Sequence, residues 1–455
     1  MGRRTTQAES TVRETIAAIA TASGAAGVGV IRVSGPQVPA IGLALLGRQP
    51  PSRTAQLCRL RDAAGAAIDQ ALLLSFPAPH SFTGEDVLEL HTHGSPMVLA
   101  MVLEMLYRQG VRPARPGEFS ERAFLEGKLD LAQAEAIADL ISARSAAAAR
   151  AAMRSLDGVF SQLVDQLLQE MIAIRVQVEA AIDFPDEEIE ILGEAQVRER
   201  LGALRQRIVD LQREAERGQQ LRDGLYLVIL GPPNAGKSSL LNAFAGSDRA
   251  IVTPIPGTTR DVLRESLVIG GVPITVVDTA GLRESDDPVE REGVRRAGVE
   301  AQRADHALIV LDDSDPSADA QVFQAQLPAQ LPVTVIRNKI DLSGRPPGPI
   351  VDAVPPTFAI SCSAGSGMSE LQAHLIGHGS GDSEGSFSAR GRHLRALQLV
   401  AEHLQTANTG LDQRIGAELV AEDLRLAAEA LAEITGRFNA DQLLGEIFSS
   451  FCIGK

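Results

Sequence analysis

The chain has 455 residues, of which 44% are hydrophobic and 22% charged, and this fits a globular protein of about three domains. The formal net charge of −15 argues against broad nonspecific binding to nucleic acid, so we expect any contact with RNA to be local or made through a partner. Three widely spaced cysteines fit neither a disulfide framework nor a zinc site, and the apolar runs are too short to span a membrane, so we expect a cytoplasmic protein.

The first 128 residues are predicted to form an α+β domain. Short segments rich in β-branched or alternating apolar residues predict strands at residues 27–33, 71–76 and 86–91. Apolar residues at helical spacing predict an amphipathic helix over residues 96–107, and a turn at 115–120 is expected to precede another helix.

The next part of the chain, residues 129–221, is predicted to be helical, because Ala and Leu dominate and apolar residues recur every three or four positions. The pattern returns at residues 390–406 and 417–434. We therefore predict one discontinuous helical domain, residues 129–221 and 379–455, into which residues 222–378 are inserted as a separate domain.

A phosphate-binding loop is predicted at the start of the inserted domain. Residues 231–238 read GPPNAGKS, directly after the apolar segment 225–230 and ahead of a helix-compatible stretch. In such loops the backbone amides face a polyphosphate, Lys237 would reach its β- and γ-phosphates, and Ser238 would bind Mg²⁺. The candidate nucleotide-binding residues here are Asn234, Ala235, Gly236, Lys237, Ser238 and Ser239.

Two further motifs follow in the order expected of a GTPase. A short strand ends at Asp278 and continues as the D-x-x-G motif Asp278, Thr279, Ala280 and Gly281. The N-K-x-D motif consists of Asn338, Lys339 and Asp341, with Ile340 between the last two. A carboxylate at Asp341 can accept both N–H groups of the guanine edge, which adenine lacks, so the motif favours GTP over ATP.

The loop that contacts guanine usually reads S-A-K and is here Ser361, Cys362 and Ser363. We expect a backbone N–H of this loop to bind guanine O6, a contact that the replacement of Ala by Cys362 would leave intact. These motifs predict that residues 222–378 form a Ras-like P-loop GTPase domain. The expected fold class is thus multidomain, α/β and all-α, and a P-loop kinase with accidental matches is the less favoured alternative.

A first switch is predicted between the phosphate-binding loop and the D-x-x-G motif. Its candidate residues are Thr253, Pro254, Ile255, Pro256, Gly257, Thr258 and Thr259, and Thr259 is the candidate second Mg²⁺ ligand. Leu282 stands where Ras-type enzymes carry the Gln that orients water. Asn234 could help to hold a monovalent cation, and Glu290 could orient the water. From the residues alone, a solvated acid is the favoured interpretation of Glu290.

Taken together, the chain resembles the MnmE (TrmE) family of tRNA modification GTPases, from about residue 15 to its end. The resemblance is carried by the GTPase motifs and by residues 29–35, 81–86, 115–124, 128–136, 182–185 and 451–455. It implies a homodimer with an N-terminal domain that dimerises and binds a 5,10-methylene- or 5-formyl-tetrahydrofolate. It also implies a heterotetramer with an FAD-dependent MnmG-type partner. Together the two proteins would modify C5 of the wobble uridine of tRNA with aminomethyl or carboxymethylaminomethyl groups.

The resemblance also implies roles for individual residues. The side chains of Asn234 and Thr258 and the carbonyls of Thr253 and Ile255 would bind K⁺, Ser238 and Thr259 would bind Mg²⁺, and Glu290 would act with Lys237 in catalysis. This reverses the interpretation of Glu290 as a solvated acid. Tetrahydrofolate would contact Arg32, Glu89, Lys128 and Lys455, which otherwise would be interpreted as ordinary surface or strand-end charges.

Two rival hypotheses remain open at this level. One is a GTPase switch in ribosome assembly, and the other is a folate-dependent one-carbon transferase that acts alone. Cys452 could be a nucleophile, although a small packed residue is the favoured interpretation because no His of the surrounding tail could activate it.

Overall fold

The computed structural model describes residues 14–183, 190–245, 264–278, 300–377, 386–413, 416–437, 447–449, 451 and 454. These residues form two compact units. The first combines Met1–Ala138 with Ala432–Lys455, and the second is Asp139–Leu431.

The first unit is an α+β structure built on a sheet. Its strands are β1 (Ile16–Ile19), β2 (Ala26–Ser34), β3 (Gln56–Arg61), β4 (Ala67–Phe76), β5 (Val87–Gly94) and β6 (Arg112–Pro113), and its first helices are α1 (Val38–Leu46), α2 (Pro96–Tyr107) and α3 (Glu118–Leu125). The described strands are arranged in the order β3-β4-β5-β2-β1-β6. The strands predicted at 27–33 and 71–76 lie within β2 and β4, the strand predicted at 86–91 largely coincides with β5, and the predicted helix 96–107 is α2.

One face of this sheet carries the core. Ile31 and Val33 of β2 alternate with polar neighbours and pack with Leu88 and Leu90 of β5 and with residues of α1 and α2. Since successive side chains of a strand point to opposite faces, Arg32 and Glu89 lie on the other face, opposite each other in the β2–β5 register.

The end of the chain packs within this first unit. Phe448 and Phe451 are buried with Leu131 and Ala134, the start of the long helical region. The backbone N–H of Leu131 donates to the carbonyl of Thr435 at 3.2 Å. The described terminal residues therefore belong to the first compact unit, and the predicted helical domain of residues 129–221 and 379–455 stays a prediction.

The second unit contains long helices that flank a sheet domain. The helices are α4 (Leu131–Ser142, which begins in the first unit), α5 (Ala146–Leu156), α6 (Val159–Asp183), α7 (Glu190–Asp223), and, after the sheet domain, α12 (Gly391–Gln413) and α13 (Ala417–Ala432). Helix α12 extends beyond the predicted end at 406 because its apolar stripe continues, with Leu404 and Ala407 buried. None of the described helices combines the length and the apolar character that crossing a membrane requires.

Asp139 in α4 joins the two places where the chain enters and leaves the sheet domain. Its carboxylate accepts hydrogen bonds from Arg222 Nε at 3.0 Å, just before the sheet domain, and from Arg390 Nη2 at 2.6 Å and Ser388 Oγ at 2.5 Å, just after it. A buried carboxylate needs such partners, and here they hold the two connections side by side.

The sheet domain has the predicted P-loop GTPase architecture. Its elements are β7 (Leu225–Leu230), α8 (Lys237–Ala245), β8 (Arg264–Ile269), β9 (Val272–Asp278), β10 (His306–Asp312), α9 (Gln321–Gln324), β11 (Val333–Asn338), α10 (Ile340–Ser343), β12 (Gly348–Ile350), β13 (Thr357–Ala359) and α11 (Met368–Leu375). The described strands follow the order β12-β13-β11-β10-β7-β9-β8.

The five inner strands of this sheet run parallel, and only the outer strands β8 and β12 are antiparallel to their neighbours. In an open parallel sheet, ligands bind beyond the carboxyl ends of the strands. The phosphate-binding loop and the N-K-x-D motif lie at the carboxyl ends of β7 and β11, and Asp278 ends β9, so the fold brings these described residues to one edge.

Candidate functional site

The phosphate-binding loop connects β7 to α8 and is folded around Lys237. This side chain is 7% exposed, and its Nζ donates to the carbonyl oxygens of Gly231 and Pro232 at 2.8 Å each. Helix α8 begins at Lys237, so its first backbone amides lie at this loop, and the amino-terminal end of a helix favours an anion there. Asn234, Ser238 and Ser239 are exposed beside them.

Gly236 allows the phosphate-binding loop to approach Asn338 of the N-K-x-D motif. Its φ is +101°, and a Cβ at this position would lie 2.1 Å from Asn338 Nδ2. No side chain fits there, which explains the glycine of the G-K-S sequence physically.

Asn338 connects two of the predicted motifs directly. Its Nδ2 donates to the carbonyl oxygen of Ala235 at 2.9 Å, and its Oδ1 accepts from the backbone N–H of Cys362 at 3.2 Å. The side chain is almost fully buried, at 2% exposure. The phosphate-binding loop and the candidate guanine loop are therefore held together by one amide.

Asp341 faces the candidate guanine loop. Its Oδ1 accepts a hydrogen bond from the Ser361 hydroxyl at 2.6 Å, and the hydroxyls of Ser361 and Ser363 lie 2.9 Å apart. The hydrogen bond from Ser361 lowers the pKa of Asp341 below its ordinary value. The carboxylate is thus ionised at neutral pH and suited to accept the two N–H groups of a guanine edge.

Cys362 lies in the same loop but is not activated. Burial raises the pKa of its thiol to about 11, and the charge of Asp341 adds to the shift. Since the thiolate is the nucleophilic form, this cysteine acts through its backbone rather than its sulfur.

One contact at this edge was not predicted. Lys339 donates from Nζ to Asp312 Oδ2 at 2.6 Å, and Asp312 is the last residue of β10. An acid directly after an apolar strand, as at Asp278, is the signal that would have identified it.

Part of the predicted site lies outside the described residues. This holds for Thr253, Pro254, Ile255, Pro256, Gly257, Thr258, Thr259, Thr279, Ala280, Gly281 and Glu290, as well as Lys455 and Cys452. The backbone of Asp278 is described, and it pairs in parallel with Ile229 at the end of β7. Of the residues expected to bind cations, only Asn234 and Ser238 are therefore described. In the described part of the chain, no group of three or more His, Cys, Asp and Glu side chains could hold a metal ion.

The residues expected to bind folate lie in the first unit. Arg32 donates from Nε to Glu89 Oε1 at 3.0 Å and its Nη2 lies 2.9 Å from the same oxygen, while Glu89 Oε2 lies 3.2 Å from His91 Nε2. The Arg32 guanidinium also lies 5.3 Å from the centre of the Phe82 ring. Lys128 is exposed. Arg32 and Glu89 are thus brought together, and an aromatic ring lies beside them.

This partly exposed pair fits a ligand with a planar polar edge. A carboxylate that is paired but still accessible can exchange partners with a ligand, and an aromatic ring beside it offers a surface for stacking.

Comparisons with known proteins match most of the length of the chain. A family model described as the GTP-binding protein TrmE N-terminus matches residues 15–128, and one described as the MnmE helical domain matches residues 131–452. A protein named tRNA modification GTPase MnmE from Alkalilimnicola ehrlichii is 52% identical over 444 residues, which cover 97% of this chain and 100% of that protein. A protein of the same name from Stutzerimonas stutzeri is 55% identical over 455 residues, with 97% and 99% covered.

Solved structures show a weaker similarity. The G domain of the T. maritima FeoB iron transporter is 21% identical and has a TM-score of 0.27, with 33% of this chain and 96% of that chain covered.

Proposed function

This chain belongs to the tRNA modification GTPase MnmE family, and on that premise we propose that it binds and hydrolyses GTP and takes part in the modification of tRNA. The observation that carries the proposal is the position of Asn338, which bonds to both the phosphate-binding loop and the guanine loop. Asp341 stands beside it as an ionised acceptor for a guanine edge.

Hydrolysis would use residues at the phosphate end of the site. Lys237 would exchange its bonds to the Gly231 and Pro232 carbonyls for phosphate oxygens. Mg²⁺, bound by Ser238 and Thr259, would neutralise phosphate charge. We further propose that K⁺ is bound by Asn234, Thr253, Ile255 and Thr258, and that Glu290 orients the attacking water. The exposed position of Asn234 within the phosphate-binding loop supports this role.

For the reaction on tRNA, we propose a modified position, a product and a partner protein. The modified position would be C5 of the wobble uridine, which would receive aminomethyl or carboxymethylaminomethyl groups. The protein would act in the cytoplasm as a homodimer, in a heterotetramer with a flavoprotein of the MnmG type. We also propose the domain boundaries 1–128, 129–221 with 379–455, and 222–378.

A tetrahydrofolate would supply the one-carbon unit and bind near Arg32, Glu89, Lys128 and Lys455. The accessible Arg32–Glu89 pair beside Phe82 supports this site. Calorimetric titration with 5-formyl-tetrahydrofolate tests it directly. Glu89→Gln should weaken binding about tenfold or more, because a charged acceptor is lost. The control Glu104→Gln breaks the exposed ion pair with Arg108 and should bind like wild type. Equal affinity in the two variants would refute the folate site.

The decisive test of the hydrolytic mechanism is GTP turnover in KCl and in NaCl at equal ionic strength. We expect strong acceleration by K⁺ that Glu290→Ala abolishes, whereas the neighbouring acid variant Glu292→Ala keeps it. Equal rates in both salts would show that the cation site is not functional here, and would favour a regulatory switch in ribosome assembly.

A further inference from the structure

Asp312 contacts the guanine motif although it belongs to none of the GTPase motifs. It ends β10 and lies opposite Asn338 in the parallel register of β10 and β11. Its Oδ2 accepts a hydrogen bond from Lys339 Nζ at 2.6 Å, and the two side chains are 22% and 30% exposed. An ion pair at this degree of burial is only partly screened by water.

The Asp312 carboxylate is held in a fixed orientation. Its other oxygen, Oδ1, accepts from the backbone N–H of Ser314 at 3.0 Å and from the Ser314 hydroxyl at 2.6 Å. Both oxygens are therefore bonded, and the one that faces Lys339 cannot turn away without breaking the bonds to Ser314. These hydrogen bonds, that of Lys339 first, lower the pKa of Asp312 and keep it charged at neutral pH.

Lys339 has an unusual backbone conformation that needs support. Its φ is +67° and its ψ is +36°, the left-handed region, which non-glycine residues occupy only when surrounding contacts enforce it. This turn separates Asn338, bonded to Ala235, from Asp341, bonded to Ser361. The conformation of Lys339 therefore sets the relative positions of the two side chains that define the base site.

We propose that Asp312 is a positioning residue for guanine nucleotide binding: by anchoring the Lys339 ammonium, it holds the backbone turn that aligns Asn338 and Asp341. The inference rests on the proposed binding of GTP. Asp312 bonds to the base-binding side of the site and not to Lys237, so it contributes to nucleotide affinity and leaves the hydrolytic step at saturating GTP unchanged.

The test compares two acids of the same loop. Asp312→Asn keeps the shape of the side chain but removes its charge, and it should raise the Kd of the full-length protein for a fluorescent GDP roughly fivefold to tenfold. The matched control is Asp315→Asn. Asp315 makes the same two hydrogen bonds to Ser317, at 2.9 and 2.6 Å, but forms no ion pair with a described residue. It should bind GDP like wild type.

A double-mutant cycle separates positioning from a general structural effect. If Asp312 acts through Lys339, Asp312→Asn should add nothing to the Kd of a Lys339→Met variant, and kcat of Asp312→Asn at saturating GTP should match wild type. If Asp312→Asn does not fold, Ser314→Ala removes the hydroxyl bond to Asp312 Oδ1 while it keeps the backbone bond, and it should raise the Kd about twofold.

Two results would overturn the inference. One is equal GDP affinity in Asp312→Asn, Asp315→Asn and wild type, and the other is the same loss of affinity with and without the Lys339 ammonium. A wild-type protein that binds no GDP would instead refute the proposed function.

Discussion

Asn338 donates a hydrogen bond from its side-chain Nδ2 to the backbone carbonyl oxygen of Ala235, 103 positions earlier in the chain, at 2.9 Å. The same amide accepts the backbone N–H of Cys362. One side chain therefore connects the phosphate-binding and base-binding halves of the site.

The first prediction follows from that contact. Asn338→Ala leaves the Ala235 carbonyl and the Cys362 N–H without this partner, and each buried polar group so affected costs about 1–3 kcal/mol. We expect a clear loss of unfolding free energy in urea denaturation of the nucleotide-free protein. Asn408→Ala, which removes an exposed contact to Asp412 at 3.2 Å, should change stability by less than about 0.5 kcal/mol. Similar losses in both variants would contradict a bridging role of Asn338.

The second prediction concerns base specificity at Asp341. Xanthine carries a carbonyl oxygen where guanine carries its amino group, so an amide at this position can donate to xanthine whereas a carboxylate repels it. Asp341→Asn should weaken GDP binding by about 100-fold or more and improve the binding of xanthosine diphosphate. Competition against a fluorescent nucleotide measures both. Asp319→Asn, an exposed acid in the same domain, should keep the wild-type preference, and an unchanged preference in Asp341→Asn would exclude Asp341 from the base site.

The third prediction is a pH dependence of stability that originates at His306, the first residue of β10. His306 Nε2 lies 2.8 Å from Thr334 Oγ1, which lies 3.0 Å from His374 Nε2. Burial, and then the charge of His374, lower the pKa of His306 from its ordinary value of 6.5. Below about pH 6.5 the unfolded chain therefore binds a proton that the folded protein does not yet bind. The contribution of His306 to the free energy of unfolding is thus complete above that pH. It is lost as the pH falls from there through the lowered pKa of the folded protein.

Denaturation between pH 8 and pH 5 checks this sign. In His306→Gln, the free energy of unfolding should fall less steeply on acidification than in the wild type. His80 is exposed, so His80→Gln should show the same pH profile as the wild type. A His306→Gln profile parallel to wild type would show that His306 is not responsible.

The fourth prediction tests how the hairpin of β8 and β9 contacts α5. The Ser145 hydroxyl donates to the carbonyl of Gly271 at 2.7 Å, and a Cβ at Gly271 would lie 2.9 Å from the Cβ of Ala147. Gly271 has φ +85°, so Gly271→Ala adds both backbone strain and a clash, and should cost about 2–3 kcal/mol. The measurement is the shift of the thermal midpoint.

Gly365→Ala is the matched control for that variant. Gly365 has φ +71°, with nothing within 4 Å of the position of a Cβ, so its substitution carries the strain alone and should cost about 1 kcal/mol. If the two variants lose equal stability, the contact between Gly271 and Ala147 does not contribute.

The local features of the site could be predicted from the sequence. Strand β7 covers the predicted residues 225–230, helix α2 covers 96–107, and the described motif residues follow strand ends as expected. Each of these features depends on short-range patterns, such as apolar periodicity or glycines before a helix, which a single segment carries within itself.

The pairings between distant segments could not be predicted. Glu89 pairs with Arg32, 57 residues away, because the strand order places β2 beside β5. The acid at the end of β10 can be recognised in the sequence, but its contact with Lys339 cannot, because only the parallel pairing of β10 and β11 brings Asp312 to that residue. Phe448 and Phe451 pack with Leu131 and Ala134 in the first compact unit, which periodicity within the terminal segment does not indicate.

The sequence by itself therefore determined which chemistry is present: the phosphate-binding loop, the guanine motif and the class of each domain. Only the tertiary structure decided which of those groups touch, and so which charges are paired with one another. The physical reason is that local backbone conformation follows from neighbouring residues, whereas side-chain partners depend on strand order and on burial of the whole core, which no short segment encodes.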